Sequence, residues 1–95
     1  MQKFELGQTV ATPGCLRILE SAGQSPAEFL DRHLNHDWGD LDDEDKRSND
    51  QALVNGGRIF SAYHTSENVK IWVITEAVGP DGHRASTCLL LPNEY

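Results

Sequence analysis

The residues from Asp37 to Asp50 are the densest chemical feature of this chain. Asp37, Asp40, Asp42, Asp43, Glu44, Asp45 and Asp50 are set against only Lys46 and Arg47, so five of the seven net negative charges fall in this one segment. A field so concentrated steers a basic partner, including a protein surface that ordinarily receives DNA. Trp38 beside it is an aromatic of the kind that anchors binding hot spots. The plainer reading is a solvated, well-capped helix start with Trp38 folded into the core. Carboxylate pairs abound here, but in open solvent nothing separates their pKa values for acid–base work.

Two other groups carry chemistry by type and spacing. His33, His36 and Asp37 stand at i, i+3 and i+4, which on a helix puts metal ligands on one face, with His64 or His83 to complete a set. The His-Glu-x-x-His order of zinc proteases is missing, and Asp37 to Asp45 lacks the glycine of a calcium loop. Exposed histidines near a helix end explain the same spacing. Cys15 would be the third residue of a helix, where the dipole depresses a thiol pKa, with a distant His64 as base. No cysteine-enzyme signature surrounds it, and small packing explains it as well. No cofactor is expected. Arg58, Arg84 and Lys70 are expected to pair with Glu76 or Glu67 across strands.

Positioning falls to elements that the pattern outlines. Val69 to Glu76 is apolar on both alternating sets, with Val69, Ile71 and Val73 on one and Trp72 and Ile74 on the other, which predicts a central strand. Arg58 to His64 and Ser86 to Leu91 read as its antiparallel neighbours, separated by turns at Ser66 to Asn68 and at Gly79-Pro80-Asp81-Gly82. Phe4 to Val10 has period two and predicts a first strand. Thr12-Pro13 then caps a helix ending at Gly23, with Leu16, Leu19 and Ile18 as its inward stripe. Ser25-Pro26-Ala27-Glu28 is a capping box for a second helix, buried through Phe29, Leu30 and Leu34 and closed by Trp38-Gly39. Asp40 or Asp42 caps a third, ended by Asn55-Gly56-Gly57, whose acids come first and bases later, as the helix dipole favours. Its apolar content is thin: Leu41, Ala52, Leu53 and Val54.

Ninety-five residues predict a single domain, 1–95, with one two-layer core. Eight Lys plus Arg against fifteen Asp plus Glu give a net charge of −7, which repels phosphate backbones and anionic membranes, so neither nucleic acid nor membrane is expected as a direct partner. Two distant cysteines make no disulfide framework or zinc motif, and no signal peptide or spanning segment is read, so a soluble protein of a reducing cytoplasm is expected.

Several phrases together resemble one family: Leu6-Gly7-Gln8-Thr9-Val10-Ala11-Thr12-Pro13-Gly14, Arg32-His33, Asp37-Trp38-Gly39-Asp40-Leu41, Ile71-Trp72-Val73-Ile74-Thr75-Glu76-Ala77 and Leu89-Leu90-Leu91-Pro92-Asn93-Glu94-Tyr95. It is a family of short bacterial proteins often encoded on plasmids and integrative elements, and often labelled type I restriction endonuclease subunit M or plasmid-related protein. The chain departs from it in the Asn35-His36 spacing and in a longer Val78 to Arg84 turn. The resemblance implies a genomic context and transfers no catalytic residue. Adenine methyltransferase activity is rejected on the residues themselves, because the chain has neither a Gly-rich cofactor loop after its first strand nor a Pro-Pro-aromatic loop for a flipped base.

The expected fold is α+β in the order β-α-α-α-β-β-β, a mostly antiparallel sheet of three or four strands packed on helices, with the first strand beside the last. The expected core is Phe4, Leu6, Val10, Leu16, Leu19, Phe29, Leu30, Leu34, Leu53, Ile59, Ile71, Val73, Cys88 and Leu90. The expected function is that of a non-enzymatic interaction protein from a mobile genetic element, engaging a basic surface of a host defence or restriction complex by imitating DNA charge through Asp37, Trp38, Asp40, Asp42, Asp43, Glu44 and Asp45. The alternative is a small hydrolase dependent on Cys15 or on a metal at His33, His36 and Asp37. A meander also leaves a sheet edge available for a homodimer.

Overall fold

The computed structural model describes residues 4–95. Its order is β1 (Gln8–Ala11), α1 (Pro13–Ala22), α2 (Pro26–Leu34), α3 (Asp43–Asn55), β2 (Ile59–His64), β3 (Lys70–Thr75), β4 (Ser86–Leu90), then a 3-10 turn at Pro92–Glu94. The strands form one sheet, β1-β4-β3-β2. The meander pairs antiparallel, and β1 joins β4 in parallel, Gln8 opposite Ser86 and Ala11 opposite Leu89, so the fold is mixed α+β with the first strand beside the last.

β3 is an interior strand, a place it shares with β4, and lies in the middle of the antiparallel meander as its two-sided apolar pattern predicts. Successive helices cross one face of the sheet in reverse, α1 over β4, α2 over β3 and α3 over β2. That face carries Ile59, Tyr63, Ile71, Val73 and Leu89, and Cys15, Leu19 and Phe29 from α1 and α2 pack against most of it. Phe29 is 1 % exposed, so truncating it to alanine would cost about 3–5 kcal/mol. A second cluster joins Trp38, Ala52 and Ile59 with Phe4, Leu41 and Leu53. On the opposite face Phe60, Trp72 and Tyr95 meet edge to face.

Several expectations need correction. Val10 and Leu16 are exposed, because β1 is an edge strand of only four residues and Leu16 points away from the sheet. Cys88 faces away from the helices and is half buried; its neighbour Leu89 takes the inward place opposite Val73. Val54, one of the few apolar residues of α3, is 90 % exposed. The second helix stops at Leu34, well before Trp38-Gly39, and His36 takes a left-handed conformation. Its capping box does not close: Ser25 makes no side-chain cap bond, and the Glu28 carboxylate accepts from Gln24 instead.

The β2 edge is sealed. Asn49, buried on α3, uses its side-chain amide as a strand would, donating to the Phe60 carbonyl (2.6 Å) and accepting from the Phe60 N–H (3.0 Å). Next along, Ala62 donates to the Trp38 carbonyl and accepts from the Asp40 N–H. Only glycine permits that approach, since a Cβ on Gly39 would overlap the Ala62 carbonyl oxygen and the Tyr63 ring. A homodimer through a sheet edge would therefore have to use β1.

Candidate functional site

The acidic segment is positioned by the start of α3. Asp42 is the N-cap, accepting from the Asp45 N–H at 2.8 Å. Asp43, Glu44 and Asp45 follow in the first turn, where the exposed amide dipoles favour carboxylates. All four side chains are exposed and, among the described residues, none makes an ion pair; Lys46 and Arg47 make none either. The flanking acids differ. Asp37 is bound by Arg32 at 2.7 Å, and that hydrogen bond holds its carboxyl below the usual range. Asp40 meets His64 Nδ1 at 2.6 Å.

Trp38 does not join this surface. Its ring is 5 % exposed, packed with Phe4, His33 and His36, and its indole N–H donates to Asp50 at 3.3 Å. The fold therefore offers carboxylates without an aromatic anchor.

The histidine and aspartate spacing loses its geometric basis once α2 ends at Leu34. His33 points into the core, His36 stacks on Trp38 and Phe4, and Asp37 turns to Arg32. Among the described residues no three His, Cys, Asp or Glu side chains come together in a way that could hold a metal ion.

Cys15 is correctly placed at the third position of α1, yet its thiol is pushed up to about 11. Burial is the main cause, and the Glu94 carboxylate adds to it. Glu94 comes back from the C-terminal end to occupy the very helix terminus whose dipole would have activated the thiol, accepting from Thr12 Oγ1, from the Gly14 N–H at 3.2 Å and from the Leu91 N–H at 2.9 Å.

The structure also brings together residues that the sequence reading did not connect. His33 Nδ1 lies 2.5 Å from Ser61 Oγ and Nε2 lies 2.9 Å from Thr75 Oγ1; Thr75 meets Thr87 at 2.7 Å, and Thr87 donates to the Leu6 carbonyl at 2.8 Å. The terminal carbonyl can only accept, which fixes the proton order: Thr75 donates to Thr87, His33 Nε2–H to Thr75, and Ser61 to Nδ1. A serine donating to a histidine has the sense of a nucleophile and base. Here both are fully buried, and burial lowers the His33 pKa to about 3, so the chain is a satisfied polar core. Its signal in the sequence is phase: Ser61, Thr75 and Thr87 share the inward alternation with Ile59, Val73 and Leu89.

Arg84 also departs from the expected cross-strand pairing. It is 6 % exposed and donates to the carbonyls of Gly57 (2.7 Å), Glu76 (3.0 Å) and Ala52 (3.2 Å), so it binds main chain where an ion pair with a Glu side chain was expected. No family model matches the chain, and no curated protein or solved structure matches it either.

Proposed function

We propose that this protein is a non-enzymatic interaction protein that presents the start of α3 to a basic protein surface. The observation that carries the reading is the row Asp42, Asp43, Glu44 and Asp45, exposed at one helix entrance and without an ion pair among the described residues. Charges so placed raise encounter rates with a cationic face and fix its orientation. The resemblance to short proteins of mobile elements suggests which face: the DNA-receiving surface of a restriction or other host defence complex. The rival, a metal- or cysteine-dependent hydrolase, has no comparable support, since Cys15 is buried and unactivated and His33, His36 and Asp37 point apart.

The test is competition with DNA for a purified type I restriction complex, run near 0.05 M and near 0.5 M salt, where screening lengths differ several-fold. A quadruple variant, Asp42→Asn, Asp43→Asn, Glu44→Gln and Asp45→Asn, removes the charge while asparagine keeps the helix cap. Competition is expected from the native protein at low salt only, and from the variant at neither. Equal competition by the two proteins at low salt would refute the docking role of these residues.

A further inference from the structure

The C-terminal end of α3, the residue Phe4 and the β3–β4 turn line a half-open cavity of about 360 Å³, on the opposite end of α3 from the acidic row and independent of it. Its walls are apolar, from Phe4, Leu53, Val54 and Val78, and two polar side chains, His36 and Arg84, interrupt them. Val54 and Val78 are among the few large apolar side chains left exposed, at 90 % and 42 %, and both are here. The size is that of a small-molecule site with an apolar lining and few polar groups.

Both polar groups are incompletely satisfied. A guanidinium has five N–H donors; Arg84 spends two on Nη1 and one on Nη2, all to carbonyls, so Nε–H and one Nη2–H have no acceptor among the described residues. Carbonyls supply dipoles and no net charge. Among the described residues no carboxylate lies within ion-pair distance of this buried cation: Glu5 takes the Arg84 backbone N–H (2.8 Å) and His83 Nδ1 (3.1 Å) instead. A cation so buried ordinarily has a partner. His36 Nε2 is likewise shut away from water with no hydrogen-bond partner among the described residues.

We propose that this cavity binds a small monocarboxylate with an apolar body, its carboxylate held by the free Nε–H and Nη2–H of Arg84 and its body against Phe4, Leu53 and Val78. Two donors on neighbouring nitrogens match the two oxygens of a carboxylate.

Titration of the ¹⁵N-labelled protein with hexanoate tests this, with hexan-1-ol and inorganic phosphate as probes carrying one half of the chemistry each. Hexanoate is expected to saturate and to shift the amides of Val54, Gly56 and Val78, with the alcohol and phosphate each weaker by about ten-fold or more. Val54→Asp puts a negative charge at the mouth on a side chain that is 90 % exposed, and should weaken hexanoate by about ten-fold while the spectrum stays folded. Arg84→Met should abolish binding. Hexanol binding as tightly as hexanoate, an unchanged affinity in Val54→Asp, or no saturation up to about 10 mM would each overturn the proposal.

Discussion

Replacing His33 by glutamine should flatten the protein's response to mild acid. Glutamine keeps a donor and an acceptor for Ser61 and Thr75 but does not titrate. In the native protein His33 is buried with a pKa lowered to about 3 by desolvation, whereas in the unfolded chain it titrates near 6.5. Above 6.5 neither state binds the proton and this group imposes no penalty. As pH falls below 6.5 the unfolded state takes up a proton that the native state refuses, so stability declines and the loss is complete only below about 3. The separation corresponds to about 5 kcal/mol in full and to about 2 kcal/mol between pH 7 and pH 5. That is a large part of a small domain's 5–15 kcal/mol. Asp37, Glu5 and Glu94 are held below their ordinary carboxylate range, by the bonds from Arg32, the Arg84 backbone and Thr12, so their contributions fade at lower pH than this window. The other histidines are common to both proteins and cancel. Urea unfolding followed by tryptophan fluorescence at pH 7, 6 and 5 gives the two slopes. His33→Gln should be less stable than the native protein at pH 7 and lose about 2 kcal/mol less on going to pH 5. Parallel slopes would refute the neutral, buried assignment of His33 and with it the proton order from Ser61 to Leu6.

Asn49→Ala should cost about 1–3 kcal/mol by orphaning the Phe60 N–H and C=O, and should expose the β2 edge to self-pairing; sedimentation should show concentration-dependent association in the variant, and an equally stable monomer would count against the edge seal. Thr12→Ala should lower stability by about 1 kcal/mol through loss of the α1 cap, and a double-mutant cycle with Glu94→Gln should be non-additive because both groups bind the same helix start. Cys15, fully buried with its thiol pushed up to about 11, should resist a disulfide reagent at pH 8 in the native state and react once urea unfolds the protein. Rapid native labelling of Cys15 would revive the hydrolase reading.

The element order was written in local patterns. Thr12-Pro13 and Gly23 bracket α1 as read, Asp42 and Gly56 bracket α3, and the two-sided apolar run from Val69 to Glu76 becomes the middle of the meander. These depend on backbone groups and side chains a few residues apart, so sequence suffices for them. The concentration of carboxylates from Asp42 to Asp45 is legible for the same reason.

What the carboxylates and histidines can do depends on distant residues. Whether Asp40 is free was decided by His64, twenty-four positions away, and Cys15 is left unactivated by its burial in the core, with Glu94 adding to it by folding back onto Gly14, eighty positions away. The inward phase of β4 was set by its register with β3, which turns Leu89 and Thr87 toward the helices and Cys88 away. Ser61, His33, Thr75 and Thr87 became one hydrogen-bonded chain because three strands and a helix meet there, and Arg84 became the cation of an apolar cavity because the β3–β4 turn lies against the end of α3. Burial and long-range pairing are properties of the packed molecule, and they assign protonation, exposure and partnership to residues whose local sequence leaves all three open.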